Sequence, residues 1–197
     1  MRLWIKRSGL LMIGAVVGSL VTVVFTDEFS ERLQATIFGA VAVTQYQGIR
    51  LGMTMDEVRY VNGLADEYFD QNDVLDWGGK MIVSRDQVGK GHYKDKSDSD
   101  FHEWSWTKAA RVDVAFNKET MRVEQIGCYD SKRSGECAIY GLKTGDREEK
   151  VEAYLGQADS KKIDKSGVLT MDYKRLNLRL WLVRKEIYMI AITNRFD

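Results

Sequence analysis

The chain reads as an α+β protein: an N-terminal transmembrane helix, then two tandem units, each a short helix followed by a three-strand antiparallel meander. Three observations predict this. Residues Ser8 to Phe25 carry no charge over 18 positions. The stretch GIRLGMTMDEV from Gly48 returns in outline as GLKTGDREEKV from Gly141. Each of these stretches leads into runs of alternating apolar and polar residues, the period of a half-buried strand.

The uncharged run would span roughly 27 Å as a helix, enough to cross a bilayer. Arg2, Lys6 and Arg7 precede it, and Asp27, Glu28 and Glu31 follow it. The positive-inside rule then sets the N-terminus in the cytoplasm and residues 27–197 on the other side. A cleaved signal peptide is the competing reading, but the run ends VVFTDEF, which lacks the small residues of a cleavage site. No cysteine near the run offers a lipoprotein site. Gly14, Gly18 and Thr22 are spaced by four, a pattern that lets a second membrane helix pack closely.

The expected organisation is a cytoplasmic stub and anchor over 1–26, a helical linker over 27–47, a first unit over 48–139 and a second over 140–197. Sliding the chain by 93 residues superposes Gly48 on Gly141, Gly52 on Gly145, Val58 on Val151, Gly63 on Gly156, Ala65 on Ala158 and Asp66 on Asp159. Thr54 with Glu57, and Asp146 with Glu149, match the capping-box pattern that starts a helix. Gly63 and Gly156 are placed to end those helices. Strands follow at 103–108, 111–116 and 122–128 in the first unit, and at 169–174, 176–183 and 186–193 in the second. Residues 67–102 are an insertion with no counterpart of that length in the second unit.

The two glycine-led stretches with their meanders resemble the SmpA/OmlA (BamE-like) family. Their tandem arrangement resembles β-lactamase inhibitor protein, in which two such units join their sheets. The chain departs from the family at Ala65 and Ala158, where proline is usual, and has no lipoprotein cysteine. The resemblance implies a binding or scaffold protein without enzymatic activity or cofactor. It would be anchored in the bacterial inner membrane through residues 8–25, face the periplasm, and serve as an accessory or assembly factor for envelope proteins. An inhibitor of a periplasmic enzyme is the alternative, and an unrecognised hydrolase stands third.

Composition and motifs point the same way. Lys+Arg and Asp+Glu both number 29, so no charge excess suggests nucleic acid. DKSDSDFHE (95–103) lacks the glycine and glutamate of a calcium loop, and neither WGGK (77–80) nor GKGHYK (89–94) completes a phosphate loop. Cys128 and Cys137 bracket a polar loop; a structural disulfide, a redox pair and a metal site are the readings, and the spacing favours the first. Closing so short a loop stabilises by roughly 2–3 kcal/mol in the chain-entropy model.

On the last two strands both faces are apolar. Leu176, Leu178, Leu180 and Leu182 form one row, while Trp181 stands on the other with Arg179. Ile187 and Met189 share one side of the final strand. Either the insertion, or a helix at 31–43, covers the second face, or a partner does. Trp181, Arg179 and Met189 are the candidate partner-binding residues.

Overall fold

The computed structural model describes residues 10–12, 22–24, 42–74, 80–130, 132 and 135–196. It separates into two compact units, Met1–Val41 and Ala42–Asp197.

In the first unit two short strands pair antiparallel, β1 (Leu10–Met12) and β2 (Thr22–Val24), with Leu10 opposite Val24 and Met12 opposite Thr22. These strands lie inside the run expected to form a membrane helix. Among the described residues no helix is long and apolar enough to cross a membrane. The expected anchor, the single-pass inner-membrane location and the close packing of a helix through Gly14, Gly18 and Thr22 are therefore corrected. Thr22 sits in β2, and Gly14 and Gly18 lie outside the described residues. An apolar run rich in β-branched residues satisfies strand and helix patterns alike, and Thr22, Val23 and Val24 favour the strand.

The second unit begins with a hairpin, β3 (Gln45–Tyr46) and β4 (Ile49–Arg50), and helix α1 (Met55–Asn62). Strands β5 (Glu67–Val74) and β6 (Lys80–Ser84) follow. Three short 3-10 turns at Arg85–Gln87, Gly91–Tyr93 and Asp98–Asp100 lead to β7 (Glu103–Thr107), β8 (Arg111–Phe116) and β9 (Val123–Tyr129). A second hairpin, β10 (Ala138–Ile139) and β11 (Leu142–Lys143), precedes helix α2 (Glu148–Leu155). The chain ends with β12 (Ser160–Ile163), β13 (Leu169–Tyr173), β14 (Leu178–Val183) and β15 (Glu186–Thr193).

Nine of these strands make one antiparallel sheet in the order β12-β13-β14-β15-β9-β8-β7-β5-β6. The fold is mostly β, with two eight-residue helices among the described residues. This corrects the expected class of helix-plus-three-strand units behind a transmembrane helix. Four strands follow α2 and five follow α1 before the next hairpin. The additional strands alternate little: β12 and the second half of β5 are polar in sequence, and β6 is a short apolar run.

The matched glycine-led stretches take matched conformations. Gln47-Gly48 and Tyr140-Gly141 both have positive φ at two successive residues (48° and 84°; 57° and 68°). That is the type I′ hairpin turn, which glycine adopts without steric cost. Gly52 N donates to Val123 O and Gly145 N to Ile187 O, each at 2.8 Å, tying the hairpins to the sheet. Asp66 Oδ2 accepts from Thr107 N at 2.9 Å, and Asp159 Oδ2 accepts from Lys174 N at 2.7 Å. Each aspartate thus satisfies a backbone donor beside the strand that follows it.

The start of the second helix differs from expectation. Thr54 caps α1 reciprocally with Glu57. The N-cap of α2 is Arg147, with no side-chain cap bond. Asp146 instead accepts from Lys143 N and Lys150 Nζ, both at 2.9 Å.

One face of the sheet forms the core. Tyr68, Trp104, Val114, Ile126, Ile192, Leu178 and Tyr173 face it in one cross-strand row, all buried. Ile49 and Val58 from the first hairpin and helix, and Leu142 and Val151 from the second, are buried too. Tyr93 and Phe101 from the inserted 3-10 turns pack beside Tyr68.

Candidate binding face

The other face of the sheet is built from the residues between the core positions. Register sets one cross-strand row as Glu67, Ser105, Asp113, Gly127, Ala191, Arg179, Asp172 and Ser160. A neighbouring row runs Thr107, Arg111, Tyr129, Met189, Trp181 and Thr170. The three sequence candidates therefore lie on one face and touch by register: Trp181 pairs directly with Met189, and Arg179 precedes Trp181 by two on β14.

A bulge decides this. Trp181 pairs with Met189 while Leu182 pairs with Ile187, so Tyr188 is an extra residue in β15. Strict alternation puts Ile187 and Met189 on one side. The bulge reverses the faces, so that Ile187 joins the core with Ile190 and Met189 points out. Strand β14 also starts later than expected: Lys174–Leu176 is a 3-10 turn, and Asn177 is left-handed with φ 53°. The insertion does not cover Trp181. Its strands extend the sheet beyond β7, and β15, β9 and β8 lie between β7 and β14. The helix considered at 31–43 falls largely outside the described residues.

Arg179 is held in a fixed pose. Its Nε donates to Asp172 Oδ1 at 2.6 Å and its Nη2 to Asp172 Oδ2 at 3.2 Å. This fork geometry orients the guanidinium plane. The same guanidinium lies 5.8 Å from the centre of the Trp181 ring and 5.4 Å from that of Phe196, within cation–π range. Asp172 is buried, and Trp181 and Met189 are partly exposed.

Met189 fills the centre of the face. A Cβ at Gly127 would lie 2.5 Å from the Met189 methyl carbon, so glycine is what lets that side chain lie flat across β9. Tyr129 and Tyr188 meet edge to face at 5.9 Å. Burial, with the neighbouring Tyr129 and Asp164, pushes the Tyr188 hydroxyl up from its usual range. On the same face lies a polar recess of about 190 Å³ whose charged lining is Glu103, Glu124, Arg179 and Arg195.

The first half of the sheet carries a second arginine on the same face. Arg111 Nε donates to Asp113 Oδ1 at 2.8 Å, its Nη1 lies 3.0 Å from Glu67 Oε2, and its guanidinium stands 5.1 Å from the Phe69 ring centre.

Cys128 and Cys137 form a disulfide, with their Cα atoms 5.7 Å apart and both residues buried. Tyr46 OH lies 3.3 Å from Cys128 Sγ. The loop they close is organised by buried Asp130, which accepts from Lys132 N, Gly135 N and Thr144 Oγ1 at 3.0–3.1 Å.

Sequence reasoning missed four members of this face: Asp172, Gly127, Tyr129 and Phe196. Asp172 had a usable signal, since an aspartate inside a strand asks for a partner. Phe196 follows the last strand, where no periodicity applies. Of the motif residues that fail the calcium and phosphate patterns, 77–79 lie outside the described residues, and Glu103 lines the recess beside Arg179. Asp98 pairs with Arg59 at 2.8 Å, and the His92 and Tyr93 rings meet edge to face. Among the described residues, no three His, Cys, Asp or Glu side chains group to hold a metal ion.

No protein-family model matches the chain, and no curated protein matches its sequence. A crystal structure of a DUF4309 family protein, YjgB, from Bacillus subtilis superposes with a TM-score of 0.48 and 12% identity, over 85% of this chain and 97% of that one. A likeness at that level carries over neither fold nor function.

Proposed function

We propose that the chain is a binding or scaffold protein rather than an enzyme, and that the open sheet face around Trp181, Arg179 and Met189 holds a protein partner. The observation that carries this reading is the Asp172–Arg179–Trp181 stack on rigid strands. Tryptophan and arginine dominate interface hot spots. Here both are already ordered, so little side-chain entropy remains to be lost on binding. The Met189 side chain gives the patch an adaptable apolar centre. The resemblance to β-lactamase inhibitor protein fits a sheet used for recognition, with the partner's identity left to experiment.

Trp181→Ala in the full chain tests the reading. Partner capture, measured by affinity isolation with cross-linking and then by titration of the isolated partner, is expected to weaken by about 2 kcal/mol, or about thirtyfold. The melting temperature should stay close to wild type, because the core lies on the other face. A large drop in melting temperature, with binding unchanged after correction for the folded fraction, would rule out the recognition role.

A further inference from the structure

The nine-stranded sheet has two edges, β12 and β6, and they are built differently. Strand β12 reads Ser160-Lys161-Lys162-Ile163. Suppose it paired antiparallel with its own copy about a two-fold axis. Centred on Lys161 or Lys162, the axis sets lysine against the same lysine. Centred on Ile163, it sets Lys161 against Lys165. Like charges directly opposite disfavour pairing, and edge lysines are a known guard against strand addition.

Strand β6 reads Lys80-Met81-Ile82-Val83-Ser84 and has no charge in its interior. Arg85 N donates to Asp66 O at 2.9 Å, and the register pairs Tyr68 with Val83 and Phe69 with Ile82. Hydrogen-bonded and non-bonded pairs alternate in an antiparallel ladder. Tyr68–Val83 is therefore the next bonded pair, and Ile82 turns its N–H and C=O away from β5. The Ile82 side chain is 46% exposed, on the open face of the sheet. The Ser84 N–H is accepted by Gln87 Oε1 at 3.0 Å, which limits strand addition to the stretch around Ile82.

We infer that β6 is a self-association edge: two copies of the chain pair β6 against β6, antiparallel, about a two-fold axis through Ile82. Ile82 then meets Ile82 of the second copy as a doubly hydrogen-bonded pair on the same face. Met81 falls opposite Val83. Lys80 falls opposite Ser84, whose hydroxyl bonds the Asp86 carboxylate at 2.6 Å, so the register sets a basic position of each copy against an acidic end of the other. A second copy is the occupant because the register that frees the Ile82 backbone also matches faces and charges with itself, as an isologous interface requires. The contact is short, which makes it a weak, concentration-dependent dimer. A two-fold axis perpendicular to the sheet leaves both open faces on one side, giving a bivalent surface.

Sedimentation velocity of the full chain over about a hundredfold range of concentration should show a monomer–dimer equilibrium. Ile82→Lys, which sets like charges on the axis, should weaken the dimer by about tenfold or more, and Ile163→Lys should leave it unchanged. Under oxidation Ile82→Cys should form covalent dimers at least about tenfold faster than Ile163→Cys, because bonded cross-strand Cα atoms stand about 5.5 Å apart. If Ile82→Lys fails to fold, the cysteine pair decides. A monomer at every concentration, a dimer indifferent to Ile82→Lys, or equal cross-linking from both cysteines would overturn the inference. Trp181→Ala should leave the dimer intact, so failure of this contact and failure of the binding face are distinguishable.

Discussion

In the first half of the sheet Trp104 and Trp106 stand where Met171 and Tyr173 stand in the second, each pair on the strand that crosses its half's core. The first half is filled by aromatic rings: Trp104 meets Tyr68, Trp106 and Phe116 at centroid distances of 4.9–6.1 Å. The second half is filled by the leucine row of β14. On the open face the difference is one of charge. Asp172 and Arg179 form a buried fork in the second half, while the corresponding Ser105 and Asp113 leave the Ser105 hydroxyl buried without a hydrogen-bond partner. There the guanidinium comes from Arg111, two residues before Asp113 on β8.

What the halves share is backbone bonding: the hairpin turns, the Gly52 and Gly145 amide bonds, and the Asp66 and Asp159 caps. A frame of backbone hydrogen bonds has few acceptable side chains at its bonding positions. A packed core has many, provided the volume is filled.

Three measurements test how far the two halves differ. The largest effect belongs to Trp104, which is fully buried and whose indole N–H donates to the carbonyls of Asp98 and Phe101, both at 3.1 Å. Trp104→Ala should cost about 3–5 kcal/mol in urea unfolding and speed proteolysis in the inserted turns. Met171→Ala should also destabilise, by about 2–4 kcal/mol, but leave the insertion protected. Equal loosening of the insertion in both variants would mean the two cores are not separable.

The second effect is alkaline. Burial first, then the nearby Glu152, pushes the Tyr173 hydroxyl up from 10.0 to about 12, and that hydroxyl donates to Gly156 O at 3.1 Å. The folded state favours the neutral phenol. Its contribution is complete below pH 10.0 and is lost as pH rises toward about 12. Tyr173→Phe should flatten the fall in melting temperature across that window, whereas Trp106, its counterpart, does not titrate. Burial also raises Tyr68, which leaves a residual alkaline loss in the variant. An unchanged alkaline profile in Tyr173→Phe would show that the loss arises elsewhere.

The smallest effect is at the helix starts. Thr54→Ala removes a reciprocal cap and should cost about 1 kcal/mol. Arg147→Ala removes no cap bond and should stay within about 0.5 kcal/mol of wild type by the same urea titration. Equal costs would mean the Thr54 cap contributes nothing beyond propensity.

Local features of this fold are legible in the amino-acid order. The glycine turns, the Thr54 cap and the alternating runs of β8 and β14 depend on residues within a few positions of one another. The strands at the sheet margins are not legible in the same way. Strand β5 contains Asp70, Gln71, Asn72 and Asp73, and β12 contains two lysines, residue types that are depleted in strands. They are strands because a neighbour offers a ladder. The apolar run near the N-terminus misleads because its composition suits either geometry, and it includes paired strands β1 and β2.

For the candidate face, residue order alone puts Trp181 and Arg179 opposite the leucine row, since a strand alternates with period two. It did not determine that Met189 joins them. That required the bulge at Tyr188, which shifts β15 by one residue against β14. Nor did it determine that Asp172, seven residues before Arg179, would fix the arginine's pose, or that Gly127 would open room for Met189. Alternation and capping are written in short-range order along the chain. Register, bulges and cross-strand partners depend on which distant strands pair, and only the tertiary structure selects among the pairings that the local pattern allows.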